Sequence, residues 1–233
     1  HRFPFWYSWN GFRGSQFIWA IFGIIQKLPD TRIIQLPNSF PMIVSETDWI
    51  SKTIYQGTYE RSLLHFLKSL VLANVMLDVG ANIGWYSFLA AHAGVERIVA
   101  FEFMNEYANF IAENFRKEGI PATVVNKGVG APNTFEKYSD PLAKTNGSLI
   151  SLDEYAKVNN IWPDIMKMDI EGFELDALRN SHEILLRKPA LDISLHDRFL
   201  LDRGQSENEV LSLLSSYGYK ILWQGGGTYF MVA

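Results

Sequence analysis

The sequence predicts an α/β domain with a mostly parallel sheet, closed at its C-terminus by an antiparallel hairpin. Three observations carry that reading. From Val75 onward short apolar runs alternate with helical patterns, the signature of parallel strands joined by crossover helices. The first run, Val75 to Val79, ends in an acid and two spaced glycines, Asp78, Gly80 and Gly84, as a strand does when it turns into a helix over a ligand. Near the end, Tyr219 to Trp223 and Thr228 to Val232 flank Gly225-Gly226-Gly227, a hairpin pattern.

Composition agrees with one packed domain plus an appendage. The chain has 233 residues, 48% apolar and 20% charged, which suits a globular fold and argues against disorder. A net charge of −4 offers no basic surface for nucleic acid. There is no cysteine, which excludes disulfides and thiolate metal sites. No apolar run reaches the roughly 20 residues that cross a bilayer. The expected division is an appendage at 1–56 and a ligand-binding domain at 57–233.

The chain begins with His1 rather than Met, consistent with a native N-terminus that is missing or replaced. Aromatic residues crowd the first thirty positions, among them Trp6, Trp9 and Trp19. Gln16 to Leu28 reads as a short helix stopped by Pro29-Asp30, packed on the main domain or on a partner subunit. A membrane-surface anchor is the alternative, since Trp and Phe lie beside Arg2, Arg13 and Lys27. Thr31 to Leu36 and Met42 to Ser45 then read as a hairpin around Pro37 and Pro41. A helix is expected from Glu60 to about Leu72.

After the first strand a helix follows from Ile83 to about Ala93. Arg97 to Glu102 is the second strand, and Asn105 to Glu118 the second helix, ended by Gly119 and Pro121. Ala122 to Asn126 is the third strand. Pro132, Pro141 and Asn146-Gly147 mark loops around a weak strand, Phe135 to Tyr138. Ser151 and Glu154 form a capping box for the next helix. Asp164 to Asp169 is the fourth strand, followed by a helix at Phe173 to Asn180. Ala190 to His196 is the fifth, with Asp192, Ser194 and His196 on one face. Ser206 to Ser216 is an amphipathic helix.

The turn at Asp78 narrows the ligand. A nicotinamide dinucleotide wants Gly-x-Gly-x-x-Gly with its pyrophosphate on the helix N-terminus. Here the spacing is Asp-x-Gly-x-x-x-Gly, with Asn82 where the middle glycine would fall. A strand-end carboxylate disfavours a pyrophosphate and suits S-adenosylmethionine, which carries a sulfonium, an ammonium and no phosphate. Amides at the helix start are expected to lie under that ligand. About twenty residues on, a carboxylate should grip the ribose hydroxyls, and Glu102 is there. The exit of the third strand, Asn126-Lys127-Gly128, lies where such folds hold the adenine, with Asn126 bonding its edge or an ordinary turn as the alternative.

The segments Leu77 to Gly84, Ala100-Phe101-Glu102 and Lys167-Met168-Asp169-Ile170-Glu171-Gly172-Phe173-Glu174 resemble the FkbM-type methyltransferases from about Gly57 to the C-terminus. The resemblance implies a Rossmann-like class I methyltransferase fold, a mostly parallel seven-stranded sheet with helices on both faces. It implies methyl transfer from S-adenosylmethionine to a hydroxyl, often on a sugar or polyketide. It implies an active-site entry at Gly57-Thr58-Tyr59-Glu60, whose Glu60 otherwise reads as a first-turn acid countering the helix dipole. The family usually places proline after the ribose-binding acid; here Phe103 stands there and would flank the adenine. It also tends to show Glu-x-His where this chain has Ser194-Leu195-His196.

Asp78, Gly80, Asn82 and Gly84 are therefore expected under the methionine half of the cofactor, and Glu102 on its ribose. An alcohol is a weak nucleophile, so a base is expected among His196, Glu171 and Asp169, in that order. A divalent cation held by Asp169, Glu171 and His196 is the less favoured alternative. The acceptor is expected to be a small molecule or glycan, with Trp6, Trp9 and Trp49 either buried or stacked on a sugar face. A cytoplasmic location is expected, with contact to a membrane or a lipid-linked substrate left open, as is self-association. Rival readings are a nicotinamide-dependent oxidoreductase and a non-catalytic cofactor-binding or assembly module.

Overall fold

The structure, a computed structural model, describes residues 25–28, 31–35, 41–45, 63–131 and 148–233. The chain divides into two compact units, one of residues 1–61 with 116–118, the other of 62–115 with 119–233. In the first unit, β1 (Ile25–Leu28), β2 (Thr31–Gln35) and β3 (Pro41–Ser45) form an antiparallel sheet. The hairpin expected of the last two is present, with Thr31 opposite Ser45 and Gln35 opposite Pro41.

Ile25 to Leu28 corrects the expected helix at its C-terminal end. Those residues are a strand, with Ile25 opposite Ile34 and Leu28 opposite Thr31. The two residues between the paired ends, Pro29-Asp30, suit a tight connection as well as a helix stop, so the signal was read the wrong way. The rest of that helix, the aromatic N-terminus and the expected strand at Phe135 to Tyr138 lie outside the described residues.

In the second unit, α1 (Leu63–Leu70) leads to β4 (Val75–Val79), α2 (Trp85–Ala93), β5 (Arg97–Phe101), α3 (Asn105–Glu118) and β6 (Ala122–Val125). A two-residue parallel ladder follows, β7 (Gly128–Val129) with β8 (Leu149–Ile150). Then come α4 (Leu152–Asn159), β9 (Ile165–Met168), α5 (Glu174–Arg179), α6 (His182–Leu186), β10 (Ala190–Ser194), α7 (Asp197–Asp202), α8 (Glu207–Ser216), β11 (Lys220–Gly225) and β12 (Thr228–Val232). The short helices α6 and α7 had no counterpart in the sequence reading. The capping box is real: Ser151 Oγ accepts the Glu154 amide.

The main sheet has seven strands in the order β11-β12-β10-β9-β4-β5-β6. The five from β10 to β6 are parallel, while β12 runs antiparallel to both β10 and β11. The terminal hairpin thus inserts its second strand beside β10. Both faces are covered. Leu77, Val79, Met166, Met168, Leu191 and Ile193 point into a core shared with Leu152, Leu175, Leu185 and Leu214 from α4, α5, α6 and α8. The intervening positions face α2, as shown by the Asp78–Ser87 hydrogen bond and by Lys167 over the Tyr86 ring.

Strand order fixes where a ligand belongs. From β4 the chain steps outward through β5 and β6, then crosses back to place β9 on β4's other side. Loops leaving β4 and β9 therefore diverge over a crevice at the strands' C-terminal ends, the switch point where open α/β sheets bind ligands.

Candidate active site

The loop after β4 is drawn tight against its neighbours. Gly80 has φ +85°, and a Cβ there would lie 1.9 Å from the carbonyl oxygen of Asp169. Gly84, at φ +83°, caps α2, and a Cβ would press on Ile111 and Phe115 at 3.2 and 3.3 Å. Only glycine meets both demands at Gly80, a left-handed backbone and a neighbouring strand exit in contact.

Four amides of this turn, ahead of the helix start, are bonded within the protein. Gly80 and Ala81 donate to the Phe101 carbonyl at 2.9 and 3.0 Å, and Gly84 to that of Ala81 at 2.7 Å. Asn82, itself at φ +51°, donates its amide to Glu102 Oε2 at 2.7 Å. The end of β5 and Glu102 lie alongside the turn and take up the donors of Gly80, Ala81 and Asn82. What the turn does present is an acceptor: Asn82 Oδ1 is buried without a partner.

Asp78 is 1% exposed, and its Oδ2 accepts both the Ser87 amide (2.9 Å) and the Ser87 hydroxyl (2.6 Å). Burial pushes its carboxyl up to about 6, against the pull of the Ser87 bonds and Lys167. It ties β4 to the first turn of α2. Glu102, 6% exposed, joins the Asn82 amide to that of Met104, which it accepts at 2.7 Å. Burial raises it to about 7, more than its backbone bonds lower it.

Asn126 donates through Nδ2 to the carbonyls of Glu102 and Phe103 at 2.8 and 3.1 Å, so that side chain braces the loop after β5. The Phe103 ring lies against Gly128, where a Cβ would come within 3.0 Å of it. Lys127 is exposed. Asn82, Glu102, Phe103, Asn126 and Gly128 are thus contiguous. Glu60 lies outside the described residues.

The exits of β9 and β10 assemble the second group. His196 Nε2 faces Asp169 Oδ1 and Glu171 Oε2, each at 3.5 Å, and its Nδ1 lies 3.2 Å from Glu174 Oε1. Glu174 is fully buried, and the same Oε1 accepts the amides of Gly172 (3.1 Å) and Ile170 (3.3 Å). Burial pulls the imidazole's pKa down, but the Glu174 hydrogen bond and the three carboxylates outweigh it and raise it above the ordinary value. Burial also raises Glu171. Glu171 has φ +53° and Gly172 φ +94°, so the backbone folds back on itself to place Glu171 beside the imidazole.

Beneath this group sits Lys167, 2% exposed, with Nζ 2.8 Å from Ser194 Oγ, 3.5 Å from Asp169 Oδ2 and 3.7 Å from Asp192 Oδ1. Ser194, two residues before His196, accepts from this lysine. Sequence reasoning assigned no role to Lys167, Glu174, Asp192 or Ser194. Two signals were present: a lysine inside an otherwise apolar strand, and a third acid five positions after Asp169.

A crevice at a switch point, with an acid after the second strand, is the layout of a nucleotide-type binding fold. The chain belongs to the FkbM methyltransferase domain family, which it matches over residues 78–221. It is an S-adenosylmethionine-dependent methyltransferase. Among solved structures it is similar to a putative SAM-dependent methyltransferase from Streptococcus mutans, at 10% identity and TM-score 0.55, over 89% of this chain and 57% of that one. It is also similar to P. horikoshii TYW2 in complex with MeSAdo, at 12% identity and TM-score 0.50, over 89% and 71%. These likenesses concern the fold. No curated protein gives a significant match.

The residues present fit the methyl donor that family membership implies. Orphaned Asn82 Oδ1 and the carboxylate of Glu102 are acceptors for hydroxyl and ammonium groups.

Proposed function

We propose that the protein methylates a hydroxyl oxygen, on a carbohydrate or glycolipid acceptor. The observation that supports this reading is the contact of Gly80 with Asp169, which brings the turn after β4 against the strand exit that carries the Asp169–Glu171–His196 group. Bound at the turn, S-adenosylmethionine supplies an electrophilic methyl on its sulfonium. Glu102 and Asn82 hold its ribose and amino-acid ends. The strand exits must then place an oxygen in line with the methyl, and positioning of this kind supplies much of the acceleration. Asp169, Glu171 and His196 are the groups placed to draw the proton off that oxygen as the new bond forms. Glu174 turns the imidazole so that Nε2 faces them.

Support for the acceptor class comes from the family's chemistry together with this oxygen-activating set. The test is incubation of the full chain with isotopically labelled S-adenosylmethionine and a panel of glycans, glycolipids, amines and thiols. Label in a base-stable ether on a sugar hydroxyl is expected. Transfer only to nitrogen or sulfur would contradict the reading.

A further inference from the structure

We propose that Asp169, Glu171 and His196 form a divalent-cation site, of the manganese or magnesium class, that takes the acceptor hydroxyl as a further ligand. This rests on the function proposed above and gives its proton-removing group a specific chemistry.

Donor spacing is the first argument. Charge-assisted N–H···O⁻ bonds run at about 2.7–2.9 Å, whereas His196 Nε2 stands 3.5 Å from both Asp169 Oδ1 and Glu171 Oε2. That is too long for a strong hydrogen bond to either. Donors sharing an ion at about 2.0–2.2 Å from each sit some 3.0–3.5 Å apart. One donor atom from each of the three side chains lies within 4.8 Å of the others.

Orientation is the second. Glu174, fully buried, occupies Nδ1 at 3.2 Å, which fixes the Nδ1–H tautomer and leaves the Nε2 lone pair toward the two carboxylates. A ligand histidine characteristically donates its other ring N–H to a carboxylate. Asp169 is likewise divided, with Oδ2 toward Lys167 and Oδ1 toward the imidazole. Its side chain is 22% exposed, that of Glu171 49% and that of His196 27%, so an ion and a hydroxyl can reach all three.

Charge is the third. Asp169, Glu171 and Glu174 bring three carboxylates around one imidazole. Excess charge in a half-buried crevice calls for a cation. One imidazole with two carboxylates suits Mn²⁺, and Mg²⁺ by the oxygen share.

Held there, the hydroxyl has its pKa lowered and loses its proton to water. The oxygen's electron pair forms the bond to the methyl carbon while the C–S pair stays with sulfur. Charge and atoms balance with no redox partner.

The test titrates the chelator-treated full chain with Mn²⁺, following free Mn²⁺ by electron paramagnetic resonance, with Mg²⁺ as competitor. S-adenosylhomocysteine binding is measured alongside by calorimetry. One Mn²⁺ per chain is expected, weakened at least tenfold in both Asp169→Asn and His196→Ala. Glu174→Gln, which keeps all three ligands, should weaken it about 10–100-fold. S-adenosylhomocysteine binding by each variant reports that the fold survives. Wild-type protein that binds S-adenosylhomocysteine but neither Mn²⁺ nor Mg²⁺ would overturn the site and leave the methyltransferase reading standing. Mn²⁺ bound equally by wild type and variants would also overturn it. Site-specific Mn²⁺ binding without S-adenosylhomocysteine binding would support the site and refute the reading beneath it.

Discussion

The α-carbon of Gly80 packs so closely on Asp169 that a methyl group placed there would overlap the Asp169 carbonyl oxygen at 1.9 Å. The two residues follow β4 and β9 directly, and their contact holds the two strand exits together. Gly80→Ala brings both this clash and a left-handed backbone that alanine resists, strain of order 1–3 kcal/mol before the clash is counted. A fall in melting temperature of several degrees and at least tenfold weaker S-adenosylhomocysteine binding are expected by thermal unfolding and calorimetry.

Glu102 should make cofactor binding pH-dependent. Its carboxyl is raised to about 7 by burial, and ribose hydroxyls donate best to the ionised form. S-adenosylhomocysteine affinity should therefore rise as pH increases through about 7, and Glu102→Gln should flatten that rise. Calorimetry between pH 5.5 and 8.5 measures it.

The same shift has a consequence for stability. A carboxyl raised on folding favours the protonated native state, so its contribution is lost as pH climbs from the unfolded value of 4.5 to about 7. Asp78 acts with the same sign between 3.8 and about 6. Relative to Glu102→Gln, the ligand-free wild type should lose about 3 kcal/mol across that window. Urea unfolding of both proteins at pH 4.5 and 7.5 gives the difference.

Removing the Ser87 hydroxyl takes a 2.6 Å bond from a buried carboxylate. Ser87→Ala should cost about 1–3 kcal/mol, more at pH 7.5 than at pH 5, where Asp78 is protonated. Denaturant unfolding at both values checks it.

In chelated protein, His196 should stabilise the fold in the opposite direction. Its pKa is raised on folding, so the stabilisation is present in full below 6.5 and disappears as pH rises through the folded value. His196→Ala should therefore destabilise more at pH 6 than at pH 9, again by denaturant unfolding.

The sheet from β4 to β6 and the terminal hairpin were legible because their signals are local: an apolar run, a glycine turn, an acid at fixed spacing. Ile25 to Leu28 misled because four residues of mixed polarity before Pro-Asp serve either element, and only pairing with Ile34 and Thr31 decides. Asp78 and Asn126 read from the sequence as cofactor-binding residues. Sequence could not show that their side chains are engaged by Ser87 and by the Glu102 and Phe103 carbonyls. The lysine network was hidden for a related reason. Lys167 meets Asp192 through the register of β9 against β10, which sets the two residues side by side across 25 positions of chain. Among the described residues no helix is long and apolar enough to cross a membrane, in keeping with the run lengths in the sequence.

The central claim is that the β4 turn and Glu102 receive an adenosyl ligand without phosphate. Calorimetric titration of the full chain with S-adenosylhomocysteine and, separately, with NADH tests it most directly. One S-adenosylhomocysteine per chain, weakened by Glu102→Gln, with no heat from NADH, is predicted. Saturable NADH binding with none of S-adenosylhomocysteine would contradict it.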